Sequence, residues 1–132
     1  MTPEQMKGRT KQFALRVIRL ADSLPRSGSG GVIGRQLLRA GTSVAANYRA
    51  ACRARSQSEF VAKMGIVEEE ADECLFWLEL TTEAGLMKQD QLAETMREAN
   101  EILSIVVTSI KTARGGRRTA GTRKPATRTD SP

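Results

Sequence analysis

The sequence predicts an all-α protein: an antiparallel up-down-up-down four-helix bundle over residues 1–114, followed by a disordered basic tail at 115–132. Three observations lead there. Four segments repeat apolar residues at helical spacing. Short breaks containing glycine, proline or serine separate them, and connections this short force neighbouring helices to run antiparallel. Hydrophobic residues are 39% of the chain but aromatic residues only 4%, so the core must be built from aliphatic side chains and alanine.

The first helix is expected from about Lys7 to Leu24, with Phe13, Val17, Leu20, Ala21 and Leu24 on one face. Pro25 closes it, and Ser27 to Gly31 reads as a flexible turn. The second helix runs from about Val32 to Ala54, with a buried stripe of Ile33, Leu37, Val44, Tyr48 and Ala51. Gly41 stands in its middle beside the small residues Ala40, Ala45 and Ala46, a pattern that points to close approach of another helix. Ser56 and Glu59 form a capping-box pattern ahead of the third helix. That helix buries Phe60, Met64, Val67, Ala71, Leu75 and Leu78, and stops at Gly85. The fourth starts near Asp90 as its cap and carries Leu92, Met96, Ala99, Leu103, Val106 and Ile110 before a stop at Gly115.

Composition narrows the chemistry. The chain has no histidine, which removes Ser-His-Asp and Cys-His catalysis and His-ligated zinc. The cluster Glu68, Glu69, Glu70, Asp72 and Glu73 therefore reads as a solvated or ion-paired helix face and not as a di-iron site, which uses Glu-x-x-His. Ser43 and Asn47 stand one turn apart, but no base is at hand to activate the hydroxyl, so they read as partners at a close helix contact. Cys52 and Cys74 both fall inside helical patterns and form no disulfide framework or metal-type spacing. No apolar run reaches the roughly 18–20 residues that span a bilayer, and Met1 to Gln12 is polar and charged, unlike a signal peptide. The expectation is a cytoplasmic protein with no enzymatic activity, no cofactor, no metal and no membrane contact.

Charge is segregated along the chain. Six arginines and no acid lie between Arg26 and Arg55, whereas eight acids and the single base Lys63 lie between Glu59 and Glu83. At about 100 degrees per residue, Arg35, Arg39, Arg49 and Arg53 fall within an arc of roughly 80 degrees, opposite the buried stripe. This arginine ridge can bind phosphate, or it can pair with the acids of the third helix. No aromatic residue interleaves the arginines, so a base-stacking platform for single strands is not supported. The third helix also carries a second seam, Ile66, Glu70, Glu73, Trp77 and Leu80, beyond its main apolar face. One buried face per helix is enough for a bundle, so a second seam holding the only tryptophan predicts a subunit interface. Glu70 and Glu73 are placed there to meet arginines of a neighbouring subunit.

Arg39 to Tyr48 (Arg-Ala-Gly-Thr-Ser-Val-Ala-Ala-Asn-Tyr), Ser58-Glu59-Phe60 and the run Glu68 to Glu73 with Trp77-Leu78 together resemble a known family. It is the four-helix-bundle family associated with intervening sequences in bacterial 23S ribosomal RNA genes. The chain is similar, more distantly, to the accessory variability proteins of diversity-generating retroelements. The resemblance covers about Thr10 to Arg114, and its most specific part is the Ser-Val-x-x-Asn element at Ser43, Val44 and Asn47. It departs from the common pattern at Ala50, where relatives often carry Glu. The resemblance implies a homopentameric, barrel-like ring. In the retroelement relatives a basic ring engages a reverse transcriptase and nucleic acid, while most members have no settled activity.

Two functions are therefore expected in competition. One is a non-enzymatic homo-oligomeric scaffold that binds RNA, DNA or a nucleic-acid-associated partner such as a reverse transcriptase. The other is a structural or protein-interaction module whose arginines form intersubunit salt bridges.

Overall fold

The computed structural model describes residues 1–120, with side chains described through Gly115. Four helices follow one another: α1 (Pro3–Asp22), α2 (Gly28–Cys52), α3 (Gln57–Glu83) and α4 (Gln89–Ala120), with no strand among the described residues. α2 packs against α1 and α3, α3 packs also against α4, and α1 and α4 touch more lightly. The diagonal pairs do not approach, so the four helices surround one core. Phe13, Val17, Leu37, Val44, Met64, Val67, Leu78, Leu92, Ile102 and Val106 are fully buried in it. Among the described residues no helix is long and apolar enough to cross a membrane.

The apolar stripes fall largely where periodicity places them. All five expected α2 residues are buried, as are Phe13, Val17, Leu20 and Leu24 of the first segment. On α3, Cys74 and Thr81 join the core while Phe60 is only half-buried. Cys52 is half-buried too, whereas Cys74 is buried, and neither is in a disulfide. On α4, Thr95 and Ile102 are buried and Met96 and Leu103 sit partly outside. The buried hydroxyls of Thr10 and Thr81 donate to Met6 O (3.0 Å) and Trp77 O (2.7 Å), so burial leaves neither unpaired.

Helix ends differ from expectation in three places. α1 begins at Pro3 and not near Lys7, because Thr2 and Gln5 form a reciprocal capping box with proline in the first turn. α2 begins at Gly28, so the expected flexible turn is mostly helix. The reason is steric. A Cβ on Gly31 would stand 2.5 Å from Arg26 O, and one on Gly30 2.9 Å from Pro25 Cδ, so these glycines let the turn fold back onto the helix start. At the far end, α4 passes through Gly115 and continues to Ala120. Glycine weakens a helix by about 1 kcal/mol but stops it only through a left-handed φ. Among the described glycines only Gly28 and Gly85 adopt one. The rest of the expected tail, 121–132, lies outside the described residues.

The α3 start holds: Ser56 Oγ accepts from Glu59 N at 3.1 Å, and the Glu59 carboxylate accepts from Arg55 N at 2.7 Å, one residue before its usual partner. Close approach at Gly41 is also met. A Cβ there would lie 2.7 Å from Val17 Cγ1 and 2.9 Å from Val17 Cβ, while one on Gly34 would meet Ala21 O at 3.6 Å and Leu24 Cδ1 at 3.8 Å. Asn47 Nδ2 donates to Ser43 O at 2.9 Å, a local helix contact.

Two glycine substitutions separate packing from propensity. Gly41→Ala must displace a β-branched side chain and is expected to cost about 1–3 kcal/mol in urea denaturation. Gly65→Ala meets nothing within 4 Å and is expected to stabilise by up to about 1 kcal/mol. Equal effects at the two sites would contradict the close contact.

Candidate nucleic-acid interface

Helix α2 carries Arg35, Arg39 and Arg49 on its outer side and Arg53 at its C-cap, and all four are exposed. Their surroundings divide them. Arg39 reaches across to α3, where Nη2 lies 2.5 Å from Glu73 Oε2 and Nη1 lies 3.2 Å from Glu70 Oε1. Trp77 Nε1 donates to the same Glu73 oxygen at 3.1 Å. The two acids that were expected to meet a neighbouring subunit are thus held by an arginine of their own chain. The Arg39 guanidinium, and then the indole N–H, holds the Glu73 carboxyl below the usual carboxylate range.

Arg35 stands at the other edge of α2, with Arg26 and Asp22 around a shallow hollow at the α1–α2 connection. Arg49 and Arg53 line a groove of about 570 Å³ between α1 and α2, together with Lys7 and Lys11 from α1. The groove also holds Gly8, Ala45 and Ala46, and its one carboxylate is Glu4, which pairs with Lys7 at 3.0 Å. Lys7 and Lys11 were missed by reasoning from one helix at a time. They sit one turn apart on α1, and that spacing was the available signal, but only the packing of α1 on α2 sets them beside the arginines.

Two other cations of α1 have acid partners on α4, while Arg19 is exposed without an ion pair among the described residues. Arg9 makes a bidentate pair with Glu98 of α4 (Nε to Oε2 2.7 Å, Nη2 to Oε1 3.0 Å) and also bonds Glu101. Arg16 lies 3.9 Å from Glu94. Arg97 bonds Glu94 and Glu101 of its own helix. Among the described residues, Arg35, Arg49, Arg53 and Lys11 form no ion pair.

The expected α3 seam is in place and unevenly covered. Ile66 is 41% exposed, Glu70, Glu73, Trp77 and Leu80 are half-buried, and Phe76, 49% exposed, adds to it and stacks edge-on against Trp77 at 5.0 Å. Elsewhere, burial pushes the Cys74 thiol up to about 12, and burial followed by the neighbouring Cys52 raises the Tyr48 hydroxyl, so neither is an activated nucleophile at neutral pH. Among the described residues no three acids or thiols stand close enough to hold a metal ion.

The Arg9 pair gives the acid limb of stability its sign. Hydrogen bonding from Arg9 lowers the Glu98 carboxyl, so its contribution is fully present above the unfolded value and lost as pH falls through the folded one. Glu98→Gln is expected to cost about 1–2 kcal/mol at neutral pH and little near pH 3, read by denaturation at both. Arg39→Ala, at a more exposed pair, is expected to cost under about 1 kcal/mol. A Glu98→Gln cost that persists unchanged at pH 3 would contradict this assignment.

Comparison with known proteins places the chain. A solved protein of unknown function from the S23 ribosomal protein family of Bacteroides thetaiotaomicron shares 31% identity with it, at a TM-score of 0.77. The match covers 85% of this chain and all of that one. No curated protein matches. The profile of the 23S rRNA-intervening sequence proteins matches residues 5–108. The chain is therefore a member of the 23S rRNA-intervening sequence protein family.

Proposed function

We propose that this chain is a non-enzymatic, homo-oligomeric scaffold whose basic surface holds nucleic acid or a nucleic-acid-bound partner such as a reverse transcriptase. The observation that carries the reading is the division of its cations. Arg9, Arg16, Arg39 and Arg97 are ion-paired, while Arg35, Arg49, Arg53 and Lys11 face outward with no acid partner among the described residues. A protein with fifteen acids that leaves these cations open presents a positive field to polyanions. The family's association with 23S rRNA makes structured RNA the first polyanion to test.

The assembly we propose is a homopentamer of antiparallel up-down-up-down bundles. Support for the antiparallel sense comes from paired positions: Val17 beside Gly41 with Leu24 beside Gly34, and Arg9 beside Glu98 with Arg16 beside Glu94. Support for assembly comes from Ile66 and Phe76, which a single chain leaves exposed beside the half-buried Trp77 and Leu80. The structural alternative, with arginines in intersubunit salt bridges, must draw on acids other than Glu70 and Glu73, which Arg39 of the same chain already holds.

One experiment tests both parts. The oligomer, sized by light scattering and expected at five protomers, is titrated against a labelled RNA hairpin at rising salt. Binding is expected at about 50 mM salt and to weaken by orders of magnitude by about 200 mM. Absence of binding at the lower salt sinks the nucleic-acid reading. An Arg35→Gln/Arg49→Gln variant that binds normally but dissociates would establish the structural alternative.

A further inference from the structure

We infer that the groove between α1 and α2 is the seat of a phosphodiester strand, held by Lys7, Lys11, Arg49 and Arg53 through its phosphates and without regard to its bases. This rests on the nucleic-acid reading above and adds the place and the chemistry of contact.

The two helices contribute alike. Lys7 and Lys11 stand one turn apart on α1, about 6 Å along its axis, and Arg49 in the last turn of α2 stands four residues before Arg53 at the C-cap. That spacing lets two long side chains reach one phosphate or two neighbouring ones. The floor is made of Gly8, Ala45 and Ala46. A Cβ on Gly8 would meet nothing within 4 Å, so a strand can approach the α1 backbone closely there. No aromatic side chain lines the groove, which leaves nothing to stack on a base.

The arrangement also runs against the economy of the rest of α1. Two of its three arginines reach acids of α4, Arg9 in a close bidentate pair with Glu98 and Arg16 at 3.9 Å from Glu94, and the third, Arg19, stands outside the groove with no ion pair among the described residues. Its lysines are turned to the arginines of α2, where four cations meet one carboxylate, Glu4. Like charges gathered in one groove repel in the free protein, and a bound polyanion relieves that repulsion.

Gly8 supplies a test that does not depend on removing contacts. Gly8→Glu places a carboxylate in open space within the groove and replaces a helical glycine with a better helix former, so the variant is expected to melt no lower than wild type. It is expected to bind a labelled 20-mer about tenfold more weakly at low salt. Lys7→Gln/Lys11→Gln is expected to lower the salt slope by about 2, one unit for each lost phosphate contact. Arg19→Gln/Lys111→Gln removes the same charge from exposed positions outside the groove and is the control. RNA and DNA 20-mers of one sequence are run in parallel, and a selective loss in either arm supports the groove and tells which sugar its strand carries. If wild type binds neither, the nucleic-acid reading itself has failed. If wild type binds and the groove and control variants weaken equally in both arms, the groove is overturned and the general reading stands.

Discussion

Val17 occupies the space that a side chain at position 41 would need, and this contact sets the distance between α1 and α2. Nearer the connection the constraint relaxes, since a Cβ on Gly34 would meet Ala21 and Leu24 only at ordinary contact distance. Helix pairs with bulky contacts separate by about 10 Å, and small residues at the contact bring them toward the lower end of the 8–10 Å range. The separation governs more than the core. Lys7 and Lys11 project from α1 and Arg49 and Arg53 from α2, and they line one groove because the helices that carry them lie close together. The glycine that a helix-propensity argument counts as a cost of about 1 kcal/mol is thus the residue on which both packing and surface charge depend.

The bundle sorts its charges by helix face. The α1–α4 seam, the lightest of the helix contacts, is bridged by Arg9 with Glu98 and Glu101 and by Arg16 with Glu94. The α2–α3 seam carries Arg39 with Glu70 and Glu73, tied to the indole of Trp77. The α1–α2 seam carries apolar contacts inside and open cations outside. Surface ion pairs contribute little to stability one by one, so this sorting matters chiefly for the field the protein presents.

Much of the fold was legible in the sequence because it is carried by local periodicity. The α2 stripe, the Ser56 cap, the Gly85 stop and the close approach at Gly41 each rest on residue type and spacing within one helix. The missed α1 start was also local: Thr2, Pro3 and Gln5 carry a complete capping signal ahead of the apolar stripe. The Gly28–Gly31 turn was misread because four residues rich in glycine look flexible until Pro25 and the Arg26 carbonyl are seen filling the space beside them. The candidate site was only half legible. Helical geometry put the four arginines on one side of α2, but their partners come from α1 and α3, and no single-helix argument assigns Arg39 to Glu70 and Glu73 or Lys7 and Lys11 to Arg49 and Arg53.

The packing of α1 on α2 builds the basic face that we propose meets nucleic acid. Photocrosslinking of the purified protein to an RNA hairpin carrying a photoreactive uridine, followed by peptide mapping, is the direct test. Crosslinks are expected within residues 4–11 of α1 and within residues 42–53, the end of α2 and its C-cap, where the groove lies. Crosslinks confined to the Ile66–Leu80 seam of α3 or to α4, with none on α1, would contradict the proposal.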